Sequence, residues 1–414
     1  MDSDQHSGYQ AVRSGQRPCW LEVDLDAVAA NVRALRQLVG PTTQLCAVVK
    51  AEAYGLGGPA ISRAALEAGA DRLAVARVEE GVALRRAGLT APILLAAGFV
   101  QSESEEIVRH RLTPTIVQVE DALAVGRAAG RAGEVVSVHV KMDSGLTRFG
   151  ASPTEALNLA RLVENLPTLH LEGVYTHFAT ADEPDPTFRR QQLARFRAAL
   201  DALGSEGIRP PLVHAANSAA ALAEPSARLD MVRVGITLSG HYPSASVPRA
   251  VELKPAAALR ATVLRLYNLS PGSSIGYGRT FFAERPMRVA LVPAGYADGV
   301  PRAHSNLASA LLRGARAPIV GRVSMDQCVV DVTRMGRVEL GDEVTLFGES
   351  EGEPIGLDEF AAWSDTIVHE ALCRVGPRVP RLYRQQGREW WWPGERVPER
   401  LESGAAFERW PSPS

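Results

Sequence analysis

Between about residues 20 and 240 the chain alternates short apolar runs with amphipathic helical stretches, and no other feature restricts its fold as tightly. The runs cover residues 44–50, 72–78, 92–98, 112–117, 135–143, 171–177, 212–217 and 231–236. Most are apolar throughout rather than at every second residue, the pattern of strands in a parallel sheet covered on both faces. Helical signals fill the gaps. Val28, Val32, Leu35 and Val39 recur at helical spacing before the first run. Ser152-Pro153-Thr154-Glu155 is a capping box with proline at the first helical position. Asp185-Pro186 opens a helix whose apolar face is Phe188, Leu193, Phe196, Leu200 and Leu203, and Gly204 is placed to stop it. Eight strands, each followed by a helix or loop in about 220 residues, match a small (β/α)₈ TIM-type barrel of the α/β class. A doubly wound open sheet shows the same alternation, so counting leaves both open, with the barrel the better match.

Past Gly240 the character changes. Residues 259–266, 288–292, 318–323, 328–332 and 343–347 are short β-rich stretches separated by Pro-Gly and Gly-Asp turns, with one helical segment at 357–372. This predicts a mostly-β C-terminal domain. The expected division is a flexible N-terminus over 1–18, the barrel over 19–244, the β domain over 245–385 and a tail over 386–414. Four of the six tryptophans fall in that tail, which therefore should pack on the second domain or cover an interface. The 45 basic and 47 acidic side chains nearly cancel, which gives no electrostatic basis for a nucleic-acid or membrane partner. The first eighteen residues are polar and lack the apolar core of a signal peptide, which fits a cytoplasmic protein. Cys19, Cys46, Cys328 and Cys373 are far apart and form no CxxC pair, so neither a disulfide nor a metal is expected; Cys46 and Cys328 read as buried thiols.

In a barrel, reactive groups belong at the C-terminal ends of the strands. Ala47-Val48-Val49-Lys50 ends the first run with a lysine at that face, and Ala53-Tyr54-Gly55-Leu56-Gly57 follows as a tight turn. Such a lysine is either merely solvated at the rim or the anchor of a carbonyl cofactor, with a helix start nearby for a phosphate. Longer patterns carry a resemblance. VVKAEAYGLG resembles the cofactor-lysine motif of alanine racemases, and KMDSGLTRFG, EGVYTHFATAD, HAANSAA, MVRVGI, SIGYGRTF, VPAGYADG and GRVSMDQ follow in that family's order over residues 20–383. The resemblance implies an isomerase that interconverts L- and D-alanine with pyridoxal 5'-phosphate by a two-base mechanism, supplying D-alanine for peptidoglycan. It also implies a homodimer with shared active sites.

Taken residue by residue, Lys50 resembles the lysine that holds the cofactor covalently and serves one face of the substrate. Tyr277, between Gly276 and Gly278, resembles the tyrosine that serves the other face from the partner subunit. Arg233 resembles the arginine at the pyridine nitrogen. Arginine has only donors and effectively never loses its proton, so the ring nitrogen there must accept and stay unprotonated. His177 resembles the histidine bridging Arg233 to Tyr277; a satisfied core histidine is the bland alternative. Arg148 suits the substrate carboxylate, since a guanidinium fork matches that anion. Lys141 matches a lysine carbamylated in many relatives, a modification that would orient Arg148. Met325 resembles the position whose backbone N–H meets the substrate carboxylate from the second subunit. Tyr54, Ser218, Gly235 and Ile236 match phosphate-holding positions, while Asn217 reads as loop support.

The chain departs from the family pattern in places. Leu56 stands where histidine is usual, Ser239 where tyrosine is usual, Ser324 where cysteine is also common, and Pro377 precedes Arg378-Val379-Pro380-Arg381 where some relatives have tyrosine. None of these removes a catalytic group. A decarboxylase of the same fold type would place an acidic partner at the ring nitrogen instead of Arg233, and a non-catalytic carrier of the cofactor would lack Tyr277 and the second domain. A serine or broad-specificity racemase remains the alternative, because one methylene in a pocket is worth only ~1–3 kcal/mol.

Overall fold

A computed structural model describes residues 18–391. The chain enters through β1 (Cys19–Asp24) and then builds a closed barrel. Its eight strands are β2 (Gln44–Val48), β3 (Arg72–Val75), β4 (Ile93–Leu95), β5 (Thr113–Ile116), β6 (Val136–Lys141), β7 (Leu169–Tyr175), β8 (Leu212–His214) and β9 (Met231–Val234). All neighbours are parallel, and β9 pairs with β2 to close the ring, which decides the question that strand counting left open. Side chains alternate across each strand. In β2, Leu45 and Ala47 join the core shared with the helices, while Cys46 packs inside the barrel with Ala74, Leu94 and Met231. Lys50 follows past the C-terminal end of β2, close enough to Lys141 and His177 for its charge to act on both.

The predicted helix signals are realised. Asp24 caps the helix Leu25–Val39 by accepting from the Ala27 amide, and that helix buries Val28, Val32, Leu35 and Val39. The Ser152–Glu155 box caps Pro153–Glu164 with bonds in both directions. Helix Thr187–Ser205 buries Leu193, Phe196 and Leu203 and runs one residue past Gly204.

The C-terminal domain is mostly β. Its largest sheet contains Ala257–Thr262, Glu343–Ser350, Ser309–Leu312, Ala315–Pro318, Arg381–Gln385 and Arg388–Trp391. A three-stranded sheet, Arg265–Leu269, Met287–Val292 and Cys328–Asp331, stands beside it. Several expectations need correction. β1, expected at the start of the barrel domain, instead lies in the large C-terminal sheet, antiparallel to Ala257–Thr262 and parallel to Arg381–Gln385. Of 318–323 only Pro318, the end of Ala315–Pro318, is in a strand; Gly321 takes a left-handed φ of 77° and turns the chain. The helix expected over 357–372 is two, Leu357–Ala362 and Val368–Cys373, broken at Asp365 with a φ of 50°. The tail's first residues form the edge strand Arg388–Trp391, and Trp390 packs on the core. The expectations for 1–17 and for the rest of the tail lie outside the described residues.

Among the described residues, no helix is long and apolar enough to cross a membrane and no acidic, histidine or cysteine group is placed to hold a metal. Cys46 and Cys328 are buried thiols, as read from the sequence.

Candidate active site

Lys50 follows β2 and begins a turn of unusual hand. Ala51, Glu52, Ala53 and Tyr54 all have φ between 50° and 60°, a left-handed turn built without glycine. Each such residue costs roughly 1–2 kcal/mol, so the surroundings must over-determine the shape. They do so from several sides. Glu80 accepts from the Ala51 amide at 2.6 Å, and Glu52 accepts from the Gly58 amide at 2.8 Å. From the second domain, Arg381 donates to the Gly55 carbonyl at 2.9 Å and Tyr383 to the Leu56 carbonyl at 3.1 Å. Gly57 leaves room for that tyrosine, since a Cβ there would sit 1.8 Å from its hydroxyl.

Across the mouth stands Arg233, 5% exposed. Its Nη1 donates to His214 Nδ1 at 2.6 Å. Its Nη2 donates to the carbonyls of Thr176 and Ala215 and to His177 Nδ1 at 3.1 Å. The ring of Tyr175 lies 4.9 Å from the guanidinium carbon. Nε takes part in none of these bonds, and no carboxylate pairs with Arg233 among the described residues. Lys141 is buried between the rings of Phe149 and Tyr175, with Nζ 5.0 and 5.3 Å from their centres. Burial, then the charges of Arg233 and Arg148, bring its amine down to about 7. Burial and the same cations, with Lys50, hold His177 far below the usual histidine range. Arg148 leaves an exposed loop that Asp143 pins by accepting from the Gly145 and Leu146 amides.

The predicted phosphate positions also converge. The left-handed turn swings Tyr54 against Gly235, where a Cβ would sit 2.2 Å from the phenol oxygen. Ser218 Oγ accepts from the Gly235 amide at 2.9 Å, so that amide is already engaged, and Ile236 is buried behind it. Asn217 caps the short helix Ser218–Ala223, the supporting role read from its position. Of the departures, Leu56 is buried, and Ser239 turns inward to the Ile236 carbonyl and His241.

The structure thus brings together Lys50, Tyr54, Lys141, Arg148, His177, Ser218, Arg233, Gly235 and Ile236. It does not bring Tyr277 or Met325 to them. Tyr277 is 74% exposed, on the hairpin between Ser274–Ile275 and Phe281–Phe282, where Gly276 and Gly278 both have φ of 70°. Met325 is 52% exposed; its carbonyl accepts from Ala297, and its amide bonds no other described residue. Sequence reasoning missed His214, which sits in HAANSAA, and His369, whose ring meets the Tyr54 edge at 5.9 Å. His214 follows an apolar run and was legible as a strand-end histidine. His369 comes from a distant helix and had no such signal.

Comparisons with known proteins agree with this geometry. The family description "Alanine racemase, N-terminal domain" matches residues 23–243, and "Alanine racemase, C-terminal domain" matches 256–383. The chain belongs to the alanine racemase family. The alanine racemase of Desulfovibrio desulfuricans is 42% identical over 370 residues, 89% of this chain and 99% of that one. That of Symbiobacterium thermophilum is 45% identical over 369 residues, 89% and 98% of the two chains. Among solved structures, the alanine racemase of Clostridium difficile 630 superposes with a TM-score of 0.86 at 35% identity, covering 91% of this chain and 98% of that one. Family membership therefore extends over both domains and the mouth between them.

Proposed function

We propose that this enzyme interconverts L- and D-alanine, with pyridoxal phosphate held at the mouth and a homodimer completing each site. The observation that carries the reading is Arg233. A buried cation with no carboxylate partner and a donor left over fits an anionic aromatic ring whose nitrogen accepts. Lys50, Lys141 and Arg148 add positive charge around it, as a phosphorylated cofactor requires. When bound, pyridoxal phosphate supplies an electron sink that makes the substrate Cα–H acidic.

The chain's own residues do the rest. Lys50 holds the cofactor and, once released, moves a proton on one face of Cα. Tyr277 of the partner subunit moves a proton on the opposite face, and the exposure of Tyr277 in the single chain supports that supply. Arg233 donates to His177 Nδ1, so the neutral imidazole carries its proton on Nε2 and presents a donor to the phenol oxygen of Tyr277 of the partner subunit. Arg148 binds the substrate carboxylate, joined by the free amide of Met325 of the partner subunit. Tyr54, Ser218, Gly235 and Ile236 surround the phosphate. The barrel, with its strands between Gln44 and Val234, then holds the cofactor, and the β domain, which includes β1, delivers Tyr277. We place the enzyme in the cytoplasm, where D-alanine is needed for peptidoglycan precursors. The test is a racemisation assay of the purified dimer across small L-amino acids. Alanine should give the highest kcat/KM, and serine at equal efficiency would replace this reading with a broad-specificity one.

A further inference from the structure

The interior of the barrel holds a second feature that the racemase reading does not use. From the bottom of the barrel to Arg233 runs an unbroken line of polar side chains, buried except for Glu172, which is 20% exposed. Arg72, at the start of β3, forks onto Glu172 at 3.0 and 3.1 Å, and its Nε donates to Gln44. Glu172 Oε2 meets His139 Nε2 at 2.9 Å, His139 Nδ1 meets His214 Nε2 at 2.8 Å, and His214 Nδ1 meets Arg233 at 2.6 Å. Both imidazoles are fully buried.

The local fold is arranged around this line. Val138 pairs with Leu171 and His139 with Gly173, so Glu172 is the extra residue of a β-bulge. A bulge re-aims a side chain, and here the carboxylate reaches His139. Gly173 gives the imidazole its room: a Cβ there would lie 2.6 Å from the ring. Tyr175 stacks on His214 at 4.5 Å and 8°, with its hydroxyl fixed by Thr115 and the Ala96 carbonyl. Barrels of this kind are ordinarily filled by branched apolar residues, and apolar filling avoids the desolvation cost of buried charge.

The ends of the line set its direction. Arg233 can only donate, so His214 Nδ1 must accept and its proton sits on Nε2. That proton faces His139 Nδ1, which must accept in turn, so His139 carries its proton on Nε2 and donates to Glu172. Burial alone would raise the Glu172 carboxyl, but the hydrogen bonds from His139 and Arg72 prevail and hold it at about 2, so this end only accepts. Burial keeps both histidines below their ordinary pKa and therefore neutral. A single arrangement of protons satisfies every link.

We infer that His214, His139, Glu172 and Arg72 are positioning residues, a one-way hydrogen-bond relay that fixes Arg233 as a donor facing the cofactor's ring nitrogen. The role rests on the pyridoxal phosphate reading above. If the relay reversed, His214 would turn an N–H toward Arg233, two donors would oppose each other, and the guanidinium would be displaced from the ring. Glu172→Gln removes the end that can only accept. Arg72 donates to both carboxylate oxygens, so in either orientation the amide nitrogen faces one of its donors; the flipped amide also donates to His139 and reverses the imidazoles, and the direction is no longer enforced.

The experiment reads tautomers directly, by two-bond ¹H–¹⁵N spectra of ¹⁵N-histidine protein, first without and then with pyridoxal phosphate. In the parent protein His139 and His214 should both be neutral and Nε2-protonated in both forms. In Glu172→Gln and in His139→Leu the Nε2-protonated His214 signal should be lost or mixed, and the absorbance of bound cofactor should shift. Alanine kcat should fall about 10- to 100-fold, the range for residues behind a direct ligand, with KM little changed. His139→Gln can accept with its oxygen and donate with its nitrogen, so it should restore the His214 tautomer and most of kcat; His139→Leu carries the test should Glu172→Gln not fold. Unchanged His214 tautomer, cofactor absorbance and kcat in Glu172→Gln or His139→Leu, with only a lower melting temperature, would show that the line is mere packing. Nδ1-protonated histidines in a parent protein that binds pyridoxal phosphate would overturn the relay alone. Nε2-protonated histidines in a protein that takes up no pyridoxal phosphate would overturn the cofactor reading, and with it the relay's purpose.

Discussion

The turn that carries Lys50 and the hairpin that carries Tyr277 are opposites. Four left-handed residues without glycine hold the first, and Glu80, Glu52, Arg381 and Tyr383 brace it from both domains. The second sits on two left-handed glycines at an exposed hairpin, and its tyrosine touches nothing of the barrel mouth. On the proposed reading, one half of the site is built to completion within the chain and the other is displayed outward. Strain is stored where the surroundings can hold it, and the exposed tyrosine is available to the second subunit that the proposed function calls for.

The largest expected effect breaks the completed half. Lys50→Ala should abolish racemisation and remove the borohydride-reducible attachment of pyridoxal phosphate, because anchor and base leave together. A reducible adduct at another lysine would show the anchor to be misassigned. Tyr277→Phe should lower kcat by about 10²- to 10⁴-fold with cofactor still bound, the usual weight of one acid–base group. The loss should also be one-sided. Deuterium exchange at Cα should survive for D-alanine, served by Lys50, and collapse for L-alanine. Symmetric loss would make Tyr277 structural. Mixing the two inactive variants sharpens the comparison further. In a mixed dimer one site keeps both residues and the other has neither, so random exchange of subunits should restore about a quarter of the parent activity. No recovery on mixing would place both residues of a site in one chain.

How much of this was legible depended on how local each feature is. The eight barrel strands were readable because each is an apolar run covered on both faces, whatever its partners. β1 was not, since its neighbours in the sheet lie more than 230 and 350 residues away and nothing in Cys19–Asp24 announces them. Lys50 was legible as a strand-end lysine, whereas Arg233 and the proposed phosphate positions came only with the family resemblance. The left-handed turn did not, because Ala51 and Ala53 carry no preference for that conformation. Glu172 became a relay residue only through a bulge, and a bulge is a property of the pair β6–β7, not of either strand. His369 reaches Tyr54 from the second domain, beyond what any local pattern reports.

A smaller effect is expected at Gly235. The Cβ of Gly235→Ala would overlap the Tyr54 hydroxyl and push it off the phosphate position. Pyridoxal phosphate affinity should weaken by about tenfold, one charge-assisted hydrogen bond, while kcat at saturating cofactor changes little. Unchanged affinity, measured by fluorescence titration of the apoenzyme, would remove Tyr54 and Gly235 from the phosphate site.

The smallest effect concerns Lys141, and its sign follows from the environment. Burial, Arg233 and Arg148 bring its folded-state pKa from 10.5 to about 7. Between those values the unfolded chain holds a proton that the folded chain has lost, so stability rises with pH across that window. Below about 7 both states are protonated and the cost of the buried cation is full and constant. Lys141→Met should therefore raise the melting temperature of the cofactor-free protein most at and below pH 7, and the gain should shrink toward pH 10. A pH-independent difference would mean the amine is not buried as a cation. The lowered pKa also leaves a neutral, nucleophilic amine at pH 8, the form that adds carbon dioxide to give a carbamate. A carbamate beside Arg148 would replace repulsion with attraction and fix the guanidinium for the substrate carboxylate. Bicarbonate should then raise kcat/KM at pH 8 in carbon-dioxide-depleted buffer, within about tenfold, since Arg148 is only reoriented. ¹³C-bicarbonate should give a carbamate resonance absent from Lys141→Met. Full activity without that resonance would show that Arg148 needs no anion behind it, and Lys141 would then act through its buried amine alone.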